Sequence, residues 1–373
     1  MGLQRIGVQE ALAQLDRFHT VIDARSESEY AEDRLPSAVN WPSLNDEERR
    51  LVGTQYKQVS AFEARKMGAV LVARNIARHI EREVLTLPKN WKPLVYCWRG
   101  GQRSGALALI LSQIGFDVTV LEGGYKAFRQ HIVQWLPEAG IHLPLVVLCG
   151  RTGSAKTRLL RTLAARGAQV LDLEALAVHR GSILGAEPDR DQPSQKAFEH
   201  ALWLAIQQLD PQRPVFIESE SRTIGRLRLP ESLILRMRAA PCIHVDMPIE
   251  SRVKFLCTDY AHFVADREAL AKRLDALRVH QGHATVNAWQ EALNQGRTPD
   301  VVYALLTQHY DPVYLRSMRS HFSQFDQADR LCLPDGEPQT LELCAQHLMD
   351  RAGGVTSVAH GIKLTSSVEL EKS

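Results

Sequence analysis

Leu94-Val95-Tyr96-Cys97-Trp98-Arg99-Gly100-Gly101-Gln102-Arg103-Ser104 joins a strand to a helix through a short loop that carries a cysteine. The apolar run 94–96 follows the Trp91-Lys92-Pro93 turn and reads as a strand. Ala106, Leu107, Leu109, Ile110, Leu111 and Ile114 then recur with helical spacing. The thiolate, not the thiol, is the nucleophile, and a helix N-terminus with nearby arginine favours the anion. Gly100 and Gly101 allow consecutive backbone amides to turn inward as an anion-binding nest. Cys97 is therefore the candidate catalytic residue, supported by Arg99, Gly100, Gly101, Arg103 and Ser104. Such a loop suits a thiolate, a persulfide or its selenium analogue. A buried structural cysteine is the alternative, but packing alone does not call for two glycines and two arginines beside it.

Outward from this loop, residues 1–136 alternate strand and helix patterns. A helix is expected over 8–15, strands over 20–24 and 117–121, and helices over 61–83 and 125–135. Arg65, Arg74, Arg78, His79 and Arg82 on the longer helix read as a solvated face. Residues 137–144 hold turn formers and read as a linker between domains.

The next segment, 145–350, opens on a second strand-to-helix junction. Leu145-Val146-Val147-Leu148-Cys149 is continuously apolar, as in a parallel sheet covered on both faces. It runs into Gly150-Arg151-Thr152-Gly153-Ser154-Ala155-Lys156-Thr157 and a helix with Leu159, Leu160 and Leu163. This is a phosphate-binding loop in the strand–loop–helix setting such a loop requires. Gly150, Thr152, Gly153, Ser154, Lys156 and Thr157 are the candidate phosphate contacts; Lys156 supplies charge, and Thr157 can reach a Mg²⁺ ion. Ala155 stands at the last glycine position, where a methyl narrows the approach of a ligand without removing a donor.

Further strands are expected over 169–174, 214–218 and 242–246. Asp172 and Glu218, at strand ends, are candidate acid/base or Mg²⁺ residues, and for Glu218 a capping role is the alternative. A polar loop is expected from His179-Arg180-Gly181-Ser182 to about 193, and a helix over 195–209. Arg222, Arg226, Arg228, Arg236 and Arg238 crowd one short stretch opposed only by Glu231. Arg222, Arg226 and Arg228 follow a strand tip, the side on which ligands bind in α/β sheets, and are candidate contacts to an RNA backbone. Arg236 and Arg238 read as a helix face. From Glu250 the pattern is helical. Tyr310-Asp311-Pro312-Val313-Tyr314, close to Arg316 and Arg319, suits either helix packing or RNA stacking. Residues 351–373 read as a mobile tail.

At 373 residues, with 45% hydrophobic and 24% charged residues, the chain fits a globular protein of more than one domain. No apolar run is long enough to span a membrane, and the first residues lack a secretion pattern, so a cytoplasmic protein is expected. Cys97, Cys149, Cys242, Cys257, Cys332 and Cys344 form no Cys-x-x-Cys pair, as expected in a reducing compartment. A net charge of +2 puts any nucleic-acid surface in a local patch.

The cysteine loop resembles the active-site loop of rhodanese domains, Cys-x-Arg-x-Gly-x-Arg-Ser, with Cys97, Arg99, Gly101, Arg103 and Ser104 in register. Val21-Ile22-Asp23-Ala24-Arg25 with Glu27 and Tyr30 resembles that family's opening strand and acidic turn. Leu35-Pro36-Ser37-Ala38-Val39-Asn40-Trp41-Pro42 resembles its next segment, with Arg34 where a histidine is usual and Ser37 where a glycine is usual. Leu121-Glu122-Gly123-Gly124-Tyr125-Lys126-Ala127-Phe128 resembles its closing stretch.

Taken together, residues 8–345 resemble the tRNA 2-selenouridine synthases, a family that fuses a rhodanese domain to a P-loop domain. Phe216-Ile217-Glu218-Ser219-Glu220-Ser221-Arg222, Ile224-Gly225, Pro230, Asp172-Leu173-Glu174, His179-Arg180-Gly181-Ser182 and Tyr310-Asp311-Pro312-Val313-Tyr314 carry this likeness with the two loops. The resemblance implies an α/β protein: a rhodanese-like domain, then a P-loop NTPase-like parallel-sheet domain with a helical C-terminal part. It also implies a selenotransferase and geranyltransferase with selenophosphate and geranyl diphosphate as co-substrates and no prosthetic group. The partner it implies is tRNA bearing wobble 2-thiouridine, with a selenophosphate-producing enzyme nearby and no membrane. On the residues alone, an ATP-dependent kinase with an attached rhodanese domain is the rival, although no adenine-binding or lid signature stands out. A persulfide-sensing module is a third reading, against which the intact phosphate loop argues.

Overall fold

In the computed structural model, which describes residues 2–179, 190–259 and 267–353, both apolar strand-to-loop runs occupy the middle of a five-stranded parallel sheet. The chain divides into two units, Met1–Leu136 with Pro193–Trp203 and Pro137–Gln192 with Leu204–Ser373. The expected linker 137–144 begins inside a helix, because Gly124–Ala139 continues through Pro137.

In the first unit the strands are β1 (Leu3–Ile6), β2 (Thr20–Asp23), β3 (Ala38–Asn40), β4 (Pro93–Tyr96) and β5 (Val118–Leu121). Their order is β1-β5-β4-β2-β3, all parallel. A parallel sheet needs cover on both faces, which is why β4 is buried along its whole length. Helices α4 (Ala61–His79) and α5 (Gln102–Ile114) supply one cover, with Ile76, Leu107, Leu111, Val95, Trp91 and Phe116 in one cluster.

Three local elements depart from the sequence expectation. The edge strand β1 is exposed except at Ile6, so it carries no apolar alternation to read. Helix α3 (Asp46–Gln58) has no buried residue and is held by an Asn45–Glu48 capping box. The helix expected over 8–15 stops at Ala13 (α1, Val8–Ala13), and Leu15–Arg17 forms a 3₁₀ turn.

The second unit has the order β12-β11-β6-β8-β7, again all parallel. These are β6 (Leu145–Cys149), β7 (Gln169–Leu171), β8 (Val215–Glu218), β11 (Cys242–Asp246) and β12 (Asp329–Cys332). Strand β7 is shorter than expected, because Asp172 caps the short helix α8 (Leu173–Ala177). The edge strand β12, Asp-Arg-Leu-Cys, is half exposed and was not expected. The stretch after β8 is a small antiparallel hairpin of β9 (Thr223–Ile224) and β10 (Leu227–Arg228). Helices α7 (Lys156–Ala165) and α17 (Pro338–Gly353) pack together on one apolar cluster with Leu159, Leu163, Leu341 and Leu348.

The helical C-terminal part has its own core of Leu274, Leu277, Trp289, Leu293 and Val301. Residues 351–353, expected in a tail, belong to α17 instead. The rest of that tail, 354–373, and residues 180–189 of the expected polar loop lie outside the described residues. No helix among the described residues is long and apolar enough to cross a membrane.

Candidate active-site loop and phosphate cavity

Cys97 leaves the C-terminal end of β4 and is 3% exposed. The Ser104 hydroxyl donates to its Sγ at 3.1 Å from the first turn of α5. Burial pushes the Cys97 thiol up. The hydrogen bonds from the Ser104 hydroxyl and amide, the Arg103 charge and the Arg99 amide outweigh it, so the thiol lies below its usual range. Arg103 is aimed by Glu29, whose carboxylate accepts from it at 2.8 Å and from Arg49 at 3.1 Å. Burial would raise Glu29, but Arg103 holds its carboxyl low. Arg99 and Gly101 stand exposed at the mouth of the loop.

The stretch after β5 closes on this loop through its backbone. The Tyr125 and Lys126 amides donate to the Cys97 and Trp98 carbonyls at 2.8 and 3.0 Å. Gly124 has φ 58°, and a Cβ there would lie 2.2 Å from the Cys97 carbonyl oxygen, so only glycine fits. Ser37, at the position where the rhodanese pattern has glycine, sits at φ 55°, the conformation that favours glycine.

Beneath the loop is a buried charged network. Arg25 binds Asp23 through Nε and Nη2, and the Tyr96 hydroxyl donates to the same carboxylate at 2.8 Å. Tyr125 donates to Asp33 at 2.8 Å, and His200 Nδ1 lies 2.8 Å from the other Asp33 oxygen. This contact ties Pro193–Trp203, remote in sequence, into the first unit.

In the second unit the phosphate loop lies between β6 and α7. Lys156 Nζ folds back to donate to the Gly150 carbonyl at 2.7 Å. Ser154, 1% exposed, has a hydroxyl with no partner among the described residues. Such an orphaned donor in a loop of this kind fits an oxyanion ligand. Ala155 has φ 56°, so the residue replacing the last glycine takes the left-handed conformation glycine favours. Arg252 braces the loop: its Nε donates to the Thr152 carbonyl at 2.9 Å, and its other nitrogens bind Asp311 at 2.9 and 2.6 Å.

A cavity of about 610 Å³ opens on this loop. Its apolar wall includes Phe255, Leu256, Tyr310, Val313, Met318 and Phe322. Tyr314, from α16 (Asp311–His321), accepts from the Gly150 amide at 2.6 Å through its hydroxyl. The Tyr310–Tyr314 stretch therefore forms part of the cavity wall.

Glu174, Glu218 and Glu220 offer carboxylate oxygens within 4.8 Å of one another on the same cavity. Burial, with Glu218 and Glu220 adjacent, pushes Glu174 up to about 9. Burial and the neighbouring Glu218 push Glu220 up to about 8. Burial also raises Glu218, against the pull of Lys156. The Thr157 hydroxyl donates to Glu174 at 3.4 Å. Glu218 takes the place expected of it, whereas Asp172 does not line the cavity: it accepts from the Ala175 amide at 2.8 Å and from Arg161 at 3.4 Å. Glu174 and Glu220, which line the cavity beside Glu218, were not among the residues singled out from the sequence. The available signal was the i, i+2 spacing of Glu218 and Glu220, which puts both on one side of an extended chain.

The arginine run is dispersed. Arg222 pairs with Glu231 at 3.2 Å, and Arg226 donates to the Gln192 carbonyl. Arg222, Arg226 and Arg228 are exposed and do not line the cavity. Of the two arginines read as a helix face, Arg236 turns inward to the Leu143 carbonyl at 2.8 Å, and Arg238 lines the cavity.

Residues 7–131 match the family model of the rhodanese-like domain, and residues 143–295 match the one described as the tRNA 2-selenouridine synthase AAA domain. The chain is 38% identical over 259 residues to the tRNA 2-selenouridine synthase of Nitrosomonas europaea, covering 68% of this chain and 67% of that one. It is 34% identical to the protein of the same name from Alcanivorax borkumensis, covering 79% and 88%. With the one from Shewanella halifaxensis the identity is 32%, covering 84% and 93%.

Proposed function

Because the chain belongs to the tRNA 2-selenouridine synthase family, we propose that it replaces the sulfur of wobble-position 2-thiouridine in tRNA by selenium. Selenophosphate is the donor, and an S-geranylated base made from geranyl diphosphate is the intermediate. What carries this reading is the pairing, in one chain, of a cysteine held toward its thiolate with a phosphate loop that opens on a partly apolar cavity. Sulfur relay alone needs only the first, and an apolar wall beside the phosphate loop suits the isoprenoid tail of a prenyl diphosphate.

In the first step the base sulfur attacks C1 of geranyl diphosphate, the C1–O bond breaks, inorganic diphosphate leaves with the bonding pair, and the base gives up its N3 proton to solvent. Amides of Gly150–Thr157 and the Lys156 ammonium take up the charge that builds on that leaving group. Phe255, Leu256 and Met318 are suited to the isoprenoid tail. In the second step the selenium of selenophosphate adds at C2, the C2–S bond breaks, and the geranyl thiolate leaves and takes a proton from solvent. Water cleaves the P–Se bond, giving phosphate. The Cys97 nest serves this exchange, since amides and arginines that favour a thiolate also favour a selenide.

Thr157, Glu174, Glu218 and Glu220 present the hard oxygen donors that Mg²⁺ prefers, and they fit such an ion. Mg²⁺ bound there would help neutralise a diphosphate. The reading places the protein in the cytoplasm, supplied by an enzyme that makes selenophosphate.

The test is mass spectrometry of nucleosides from 2-thiouridine tRNA incubated with selenophosphate, with and without geranyl diphosphate. Cys97→Ser is expected to geranylate but not selenate. Lys156→Ala is expected to lose geranylation, since a charge-assisted contact to phosphate is worth about 1.5–3 kcal/mol. Wild-type selenation by Cys97→Ser would remove Cys97 from the mechanism. ATP hydrolysis stimulated by tRNA, without any geranylated product, would favour the ATP-dependent kinase reading instead.

A further inference from the structure

Arg238 sits in the last turn of α10 (Glu231–Ala239), and its side chain lines the phosphate-loop cavity. The guanidinium Nε is buried and has no hydrogen-bond partner among the described residues, and no carboxylate among them pairs with the group. Its neighbours in the arginine run differ. Arg222 has Glu231, Arg226 has the Gln192 carbonyl, and Arg236 has the Leu143 carbonyl. The helix end is itself anchored, because the Ser323 amide and hydroxyl donate to the Arg238 carbonyl at 3.0 and 3.3 Å. The backbone is therefore fixed while the charged head is left with a free donor in the cavity wall.

Arg238 is half-buried, and burying its Nε–H without an acceptor leaves a donor that an oxyanion in the cavity would satisfy. Arginine's planar fork matches two oxygens of a phosphate group. We propose that Arg238 is a phosphate contact of the cavity, donating to an oxyanion of the molecule bound there. The inference rests on the phosphate-loop reading above and adds to it a residue from outside that loop. The oxyanion belongs either to the diphosphate of the small co-substrate or to the backbone of the tRNA strand. The chemistry is the same, and the two sources separate experimentally.

The experiment uses the full chain as wild type, Arg238→Met, Arg238→Lys and, as reference, Lys156→Ala. Binding of inorganic pyrophosphate is measured by calorimetry, and binding of a tRNA transcript is measured across a salt series. If the diphosphate is the source, Arg238→Met weakens pyrophosphate binding about 10- to 100-fold, and Arg238→Lys recovers part of it as a point charge without the fork. If the tRNA backbone is the source, pyrophosphate binding is unchanged, tRNA binding weakens, and its salt slope becomes shallower by about one. Either result supports the proposal. Arg238→Met also removes a buried unpaired donor, so its unfolding temperature should equal or exceed that of the wild type; a structural role predicts a fall. Affinities for both probes within twofold of wild type, while Lys156→Ala loses pyrophosphate, would overturn the assignment of Arg238 and leave the phosphate loop standing. Loss in neither variant would overturn the phosphate-loop reading and this inference with it.

Discussion

Replacing Glu220 by glutamine is expected to stabilise the protein above pH 8 and to change little near pH 5. Burial and the adjacent Glu218 lift the Glu220 carboxyl from 4.5 to about 8. Its folded value is thus above its unfolded one. The stability of the protonated form is fully present below about pH 4.5 and is lost as pH rises through about 8. Between those limits each such carboxyl, protonated when folded and ionised when unfolded, costs about 1.4 kcal/mol per pH unit. Over the three units from pH 5 to pH 8 the bound is about 4 kcal/mol. Glu220 is half-buried, so solvent screening brings the expectation to about 2 kcal/mol. For a unit of this size that is a shift of about 4–8 °C in unfolding temperature. Glutamine keeps the shape and removes the ionisation, so the difference between variant and wild type should grow steadily with pH. Scanning calorimetry from pH 5 to 9 at constant ionic strength, without divalent ions, measures it. Added Mg²⁺ should flatten the wild-type profile, because a bound cation favours the ionised carboxylates. Parallel profiles for wild type and Glu220→Gln across the whole range would refute the electrostatic account of the cluster.

Two further outcomes are expected. Gly124→Ala should destabilise the first unit by more than about 2 kcal/mol, since its Cβ would fall 2.2 Å from the Cys97 carbonyl oxygen at a left-handed φ; thermal unfolding would show this, with selenation lost. Arg226→Ala and Arg228→Ala should weaken binding of all tRNAs alike and lower the salt slope by about one each. Unchanged affinity and slope would exclude the β9–β10 hairpin from the RNA surface.

The two loops were legible because each is a contiguous stretch whose residues dictate their own conformation. An apolar run feeds a turn that glycine permits, and helical spacing follows, so Cys97 and Lys156 are placed by local geometry alone. The two residues that replace an expected glycine, Ser37 and Ala155, are both at positive φ, where the sequence pattern had already marked a glycine position. The strands β1 and β12 escaped because edge strands bury too little to impose an alternation.

What only the tertiary structure decided are the partnerships across long stretches of chain. Tyr314 reaches the Gly150 amide from 164 residues away, and His200 reaches Asp33 from 167. Glu174 joins Glu218 and Glu220 because β7 pairs in parallel with β8 and releases α8 at the same sheet edge. Arg238 differs from Arg236 only in what the fold sets opposite it. Local spacing tells which way a side chain leaves its own element. Sheet order and register determine what it meets there, because they bring together groups that no short stretch of chain contains.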